Sequence, residues 1–268
     1  MNISKIPTAL TIAGSDSGGG AGIQADLRTF AFHCVHGMSA LTCVTAQNTL
    51  GVTRVDALPV ASVVAQLEAV VGDIGVDAAK TGMLLNPEII KAVAEQVKIL
   101  GLTQLVVDPV MVSRTGAQLI ADEAIATLRD HLIPQALIVT PNRYEAQILA
   151  ELEIYSLEDM QNAARNIYYL GAKNVLVKGG SMAGDLRGVD VWFDGEDFQV
   201  FQTTMVDTQH THGTGCTLSS AIAANLALGK SPLEAALAGK NYVTEALKHS
   251  LAIGSGTGPV GHFYQLLL

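Results

Sequence analysis

Four apolar runs in this chain each end on residues that can do chemistry. Leu10–Ala13 runs into Gly14-Ser15-Asp16, and Leu105–Val107 into Asp108-Pro109. Leu137–Val139 runs into Thr140-Pro141-Asn142 with Glu145 one turn later, and Val175–Val177 into Lys178-Gly179-Gly180. If the runs are strands of one parallel sheet, their carboxyl ends share a rim, and open α/β sheets bind ligands at that rim. The rim collects acids, an amide, a cation and glycines. This mix suits a metal-bound nucleotide: carboxylates for Mg2+, a lysine for phosphate, glycines for close approach of backbone.

Two glycine clusters need separate readings. Gly20-Ala21-Gly22-Ile23-Gln24-Ala25 matches GxGxxA loosely. A dinucleotide loop also needs an acid about 20 residues on, and none occurs between Asp26 and Asp56. A Walker A loop is absent, since Ala224 stands where Gly229-Lys230-Ser231 needs its first glycine. Gly18–Gly22 therefore also reads as a tight strand-to-helix turn. The second cluster is sharper. Gly213-Thr214-Gly215-Cys216 opens a small-residue helix through Ser219 and Ala224. Glycines at a helix start turn several N–H groups towards one point, and the helix dipole adds about half a positive charge. That is an anion hole without a cationic side chain. The plainer reading is a helix start capped by Thr211 or Thr214.

The elements that must position these residues alternate. Helical patterns lie over Ala21–Phe32, Pro87–Leu100, Ala121–His131, Arg143–Leu152 and Leu157–Leu170, the last behind the capping residue Ser156. The strands between them are continuous aliphatic runs, as strands buried on both faces are. Alternation of this kind means α/β. Val189–Phe193 and Phe198–Phe201 flank Asp194-Gly195-Glu196-Asp197, an antiparallel hairpin signal. A helical tail follows, Thr214–Leu228 and Pro232–His249, with no further strand, so a closed eightfold barrel is not expected. The predicted fold is one domain over residues 1–268: an open, doubly wound, mostly parallel sheet with helices on both faces and an antiparallel edge hairpin.

Composition excludes several classes. The chain is 49% hydrophobic and 15% charged, against roughly 25% charge in an average domain. So little charge leaves too little polar surface for a lone sphere, and an oligomer is expected. The longest stretches free of Asp, Glu, Lys and Arg, Thr29–Thr53 and Thr208–Gly229, are broken by His, Gln and Asn, so no membrane span is predicted. Residues 1–7 carry no long apolar run, and no secretory signal is expected there. Cys34, Cys43 and Cys216 cannot all pair and lack metal spacing, which fits a reducing, cytoplasmic compartment. A net charge of −9 argues against nucleic acid as a partner.

At this point the motifs resemble those of a known family. Ala9–Leu27, with its Gly14-Ser15-Asp16-Ser17-Gly18-Gly19-Gly20 core, is similar to the opening of hydroxymethylpyrimidine/phosphomethylpyrimidine kinases of the ribokinase superfamily. The resemblance continues in order through Ala46-Gln47-Asn48-Thr49, Lys80-Thr81-Gly82-Met83, Asp108-Pro109-Val110-Met111, Thr140-Pro141-Asn142, Lys178-Gly179-Gly180, Thr211–Thr217 and Gly258-Pro259-Val260. It implies MgATP-dependent phosphorylation of 4-amino-5-hydroxymethyl-2-methylpyrimidine to its mono- and then diphosphate, for thiamine, by a homodimer. It implies a pyrimidine-reading role for Gln47, whose amide donates to a ring nitrogen and accepts from the exocyclic amine, as Gln reads adenine. Asp26, Met83, Val110 and Cys216 match positions lining the substrate pocket. Asp108, Asn142 and Glu145 match the phosphate and Mg2+ shell, and Lys178 a residue near the ATP phosphates. Gly213, Thr214, Gly215 and Cys216 match the anion hole. Ser181 departs from the histidine that relatives often carry after Lys-Gly-Gly.

Plainer readings stand beside these. Asp26 reads as an ordinary helix acid, Met83 as core filler, Asn142 and Glu145 as a helix cap and first-turn acid. His212 reads as structural. The wider superfamily carries an aspartate base where this chain has Cys216. At a helix start its thiol is expected to titrate below about 8.5. Two rival functions remain: a pyridoxal kinase, whose substrate lacks an amine for Gln47, and a non-catalytic pyrimidine-binding sensor.

Overall fold

The structure, a computed structural model, describes residues 5–111 and 120–267. Of residues 1–7 read above, 1–4 lie outside that range. β1 (Thr8–Asp16) is buried along almost its whole length. It earns this by pairing parallel with β2 (His36–Asn48) on one side and β4 (Ala78–Thr81) on the other. β5 (Leu105–Val107), β6 (Ile138–Val139) and β7 (Val175–Val177) continue the parallel array. β8 (Asp190–Phe193) and β9 (Phe198–Phe201) close that side as the predicted antiparallel hairpin. On the other side β3 (Gly51–Ala57) pairs antiparallel with β2. The described residues form one sheet of nine strands, ordered β3-β2-β1-β4-β5-β6-β7-β8-β9. The sequence led to one antiparallel edge; there are two. β3 is exposed along its whole length, so it carries no apolar alternation to reveal it.

Strand side chains alternate between two cores. Leu105, Val107, Val139, Val175 and Val177 face one, against α2 (Val60–Asp73), α3 (Pro87–Ile99), α4 (Asp122–Thr127), α5 (Arg143–Ala150) and α6 (Leu157–Tyr168). Val106, Ile138, Leu176 and Trp192 face the other, against α1 (Gly22–Phe32), α7 (Thr214–Ala227) and α8 (Pro232–Lys248). Ser156 caps α6 as expected, accepting from Asp159 N at 3.1 Å. The helix predicted over Ala121–His131 forms: α4 widens into a π turn over Leu128–Leu132 and tightens into a 3-10 turn over Ile133–Gln135, where Pro134 fits the first turn.

The chain leaves β1 for β2 through α1 on one face and reaches β4 through α2 on the other. The direction of winding thus reverses between β1 and β4, and open α/β sheets bind ligands at such a reversal, outside the strand carboxyl ends.

Candidate active site

Asp16 closes β1 and organises the loop after it. Its Oδ1 accepts from Gly18 N at 2.8 Å, and its Oδ2 from Gly20 N at 3.0 Å and Ala21 N at 2.8 Å. His212 Nε2 lies 2.9 Å from Oδ2. Burial pushes this carboxyl up, but the His212 and backbone donors outweigh it and hold Asp16 below its usual range. The loop so shaped packs against the start of α7. Gly213 is there in the left-handed region at φ 79°, and a Cβ on it would sit 1.8 Å from the Gly20 carbonyl oxygen. Only glycine fits that approach.

α7 has no side-chain cap, so neither threonine caps the helix as the plainer reading required. Thr214 instead donates through Oγ1 to the Thr211 carbonyl at 2.7 Å. The Thr217 amide makes the first bond to Gly213 O, at 2.9 Å. The amides of Gly215 and Cys216 have no protein acceptor among the described residues. They are the free donors that an anion hole needs.

Beneath them lies an ion pair. Lys178 Nζ is 3.0 Å from Asp108 Oδ1, with both side chains largely buried. Ser219 Oγ donates to Asp108 Oδ2 at 3.3 Å. Burial lowers the Lys178 ammonium, yet Asp108 and Glu145 outweigh it and keep the lysine charged. A Cβ on Gly215 would meet only Lys178 Nζ, at 3.5 Å, and Asp108 Oδ2, at 3.7 Å. The open space over this glycine is therefore bounded by one cation and one carboxylate. Asp190 accepts from Gly179 N at 2.9 Å and pairs with Lys240 at 2.8 Å, which fixes the loop carrying Lys178.

Asn142 and Glu145 form a capping box at the start of α5. Glu145 Oε2 accepts from Asn142 N at 2.8 Å, and Oε1 from Met111 N at 3.4 Å. Burial pushes the Glu145 carboxyl up to about 8; Lys178 opposes this and Asp108 adds to it. The cap reading of these two residues is thus present in the structure, beside the Lys178–Asp108 pair rather than apart from it.

Asp26, which the family resemblance sets on the substrate pocket, is fully buried. Its carboxylate accepts from Thr11 Oγ1 at 2.6 Å and Ser220 Oγ at 2.5 Å, and pairs with the equally buried Lys80 at 3.2 Å. All of its capacity is used inside the protein. The Cys216 thiol, expected to titrate low at a helix start, is instead pushed up to about 11 by burial; Lys80 pulls it down, and Asp26 and Asp108 push it further up.

Gln47, Met83 and Val110 are half-buried at the carboxyl ends of β2, β4 and β5. Lys80, Ser219 and Ser220 carry no role in the sequence alone, where Asp16 is one of the rim acids and His212 reads as structural. A lysine inside the apolar run of β4 was the available signal, because a buried ammonium demands a buried acid.

A mostly parallel sheet whose carboxyl-end rim sets an uncapped, glycine-built helix start over a lysine–aspartate pair defines a ribokinase-like phosphotransferase. Comparison with known proteins narrows this class. The chain belongs to the phosphomethylpyrimidine kinase family, whose model matches residues 16–261. It is 62% identical to the hydroxymethylpyrimidine/phosphomethylpyrimidine kinase of Synechococcus elongatus, over 97% of this chain and 99% of that protein. The crystal structure of an ADP complex of Bacillus subtilis pyridoxal kinase superposes with a TM-score of 0.91 at 40% identity, covering 98% of this chain and all of that one. A phosphomethylpyrimidine kinase from Clostridium difficile superposes at 0.82 with 45% identity, covering 91% of this chain and all of that one.

Proposed function

We propose that this chain phosphorylates the hydroxymethyl group of 4-amino-5-hydroxymethyl-2-methylpyrimidine with ATP, then phosphorylates the monophosphate, supplying the pyrimidine half of thiamine. The observation that carries the reading is the pair of free amides at Gly215 and Cys216 above Lys178 and Asp108. Phosphoryl transfer has a loose transition state, so positioning and charge neutralisation supply most of the rate. Gly213, Thr214, Gly215 and Cys216 would hold the transferring phosphoryl group by backbone donors, and Lys178 would neutralise its charge. Gln47 would read the ring edge, between walls formed by Met83 and Val110.

Mg2+ would supply further charge neutralisation at the phosphates. Among the described residues no group of three His, Cys, Asp or Glu side chains converges on one point. Asp108 and Glu145 fit an ion that brings phosphate oxygens and water as its other ligands, whereas Asn142 Oδ1 already accepts from Tyr144 N and Glu145 N and would orient Glu145. Asp26 takes a supporting role, fixing Lys80 beside Cys216.

A second reading, pyridoxal kinase, is favoured by the structural likeness to pyridoxal kinases. One phosphotransfer assay with hydroxymethylpyrimidine, its monophosphate and pyridoxal separates the two. The expected order of kcat/KM puts both pyrimidines above pyridoxal; the reverse order overturns the reading. No ATP consumption with any of the three would leave the sensor. We further propose a homodimer in a reducing, cytoplasmic setting. Exposed Val44, Val52 and Val55 on the β2–β3 edge support the first, to be checked by sedimentation. Three free cysteines support the second, to be checked by fractionation. No helix among the described residues is long and apolar enough to cross a membrane.

A further inference from the structure

Gln47 sits between two groups whose protons can be counted. On one side, Thr45 Oγ1 lies 2.8 Å from the Ser15 carbonyl oxygen and 3.2 Å from Gln47 Oε1. A hydroxyl has one proton, and the carbonyl, an acceptor only, takes it. Thr45 therefore turns a lone pair towards Gln47. On the other side, His212 Nε2 lies 2.9 Å from Asp16 Oδ2 and 3.3 Å from Gln47 Nε2. The donors around Asp16 keep it ionised, so the proton between it and His212 is carried on Nε2. A protonated Nε2 keeps no lone pair to accept from the Gln47 NH2, and its one N–H, directed first at Asp16, can be shared only with an acceptor on Gln47.

With its amide set this way, Gln47 brings donor to donor at His212 and acceptor to acceptor at Thr45. A half-turn of the carboxamide repairs both contacts at once, and the exchange of O and N costs no space. We propose that Asp16, His212 and Thr45 hold Gln47 in this turned orientation, acceptor towards His212 and donor towards Thr45, which makes His212 a specificity-determining positioning residue. The inference rests on the reading of Gln47 as the amide that reads the pyrimidine edge.

The substrate's own chemistry agrees with this orientation. In the aminopyrimidine, the carbon bearing the amine is bonded to the carbon bearing the hydroxymethyl group. His212 immediately precedes the Gly213–Cys216 hole. An acceptor on the His212 side takes the amine there, which carries the adjacent hydroxymethyl group to the phosphate end of the crevice. The opposite orientation sets the ring nitrogen at that end and swings the hydroxymethyl group away.

The test uses substrate analogues as well as variants. One analogue lacks the amine; the other has carbon in place of the neighbouring ring nitrogen. For each enzyme, the ratio of kcat/KM between parent and analogue is measured, so the folded fraction cancels. His212→Leu is expected to shrink the amine preference about tenfold and leave the ring-nitrogen preference intact, the scale of one lost hydrogen bond. His212→Gln, which keeps a donor, restores it. Thr45→Val is expected to do the converse, shrinking only the ring-nitrogen preference. A crossed pattern, or unchanged ratios in His212→Leu, overturns the orientation. Gln47→Ala distinguishes the underlying reading. If it leaves both preferences as in the wild type, Gln47 does not read the ring. If it collapses both while His212→Leu and Thr45→Val are silent, the network alone is wrong.

Discussion

Cys216 holds its proton far more tightly than a thiol at a helix start ordinarily does. The cause is its setting beside Asp26 and Asp108 in a desolvated corner, only partly offset by Lys80 and by the Gly22 amide. With the thiol pushed up to about 11, the thiolate fraction grows tenfold with each unit of pH across the neutral range. If the thiolate takes the alcohol proton, the first phosphorylation should accelerate from pH 6 to 9 without a plateau. The second should not, because its acceptor is a phosphate monoester with a second pKa of about 6 and is already ionised. Cys216→Ala should abolish that slope and lower the first step by roughly 10²–10⁴. It should cost the second step less. Measuring kcat for each step with alcohol and monophosphate as separate substrates decides it. A flat wild-type profile, or equal losses in both steps, would assign the whole effect to the backbone amides.

At the scale of elements, α7 ties the site together. Its first turn packs on the β1 loop through Gly213, Ser219 reaches Asp108, and Ser220 reaches Asp26. Gly213 just before it and Gly215 within it separate structure from chemistry. Gly213→Ala forces a Cβ into the Gly20 carbonyl at φ 79°, a cost of about 1–3 kcal/mol or more. Thermal denaturation should show the loss as a drop of several degrees in Tm. At Gly215 an added Cβ meets only Lys178 and Asp108 at ordinary contact distance, so Gly215→Val should fold and lose both phosphorylation steps together. A Gly215→Val enzyme with wild-type rates would remove the hole from the site. These loops were legible in the sequence because glycines and polar residues end aliphatic runs there. β2, β3, α2 and β4 were not. β3 is exposed throughout, β4 is four residues interrupted by a lysine, and β2 mixes buried threonines with a buried cysteine. The Asp16–His212 contact was also out of reach, since it joins residues 196 positions apart.

Across the whole molecule, the site depends on the chain's last described segment. His212 pairs with it by donating to Gly258 O at 3.1 Å and accepting from Val260 N at 3.2 Å. His262 then anchors the segment under α7, 2.9 Å from Thr217 Oγ1, one residue beyond Cys216. Tyr242 donates to the His262 carbonyl from α8 at 2.7 Å. His262 is almost wholly buried, and desolvation, with Arg28 adding to it, pushes its imidazole down to about 4. An unfolded chain protonates this histidine near pH 6.5, whereas the folded chain resists until about 4. Folding therefore excludes a proton in that window, and stability falls as pH drops through it, by up to about 3 kcal/mol. Above pH 6.5 the contribution is constant. Replacing the ring by an amide in His262→Gln removes the titration, so the variant's unfolding free energy should fall less than the wild type's between pH 6.5 and 4. Denaturant titrations across that range measure the difference. Because the same segment holds His212, the protection of the Val260 amide, its exchange rate taken relative to the unfolded chain at the same pH, should fall with acid in the wild type and less so in the variant. Parallel acid dependence of the two proteins would mean that His262 contributes nothing to the acid sensitivity of the fold.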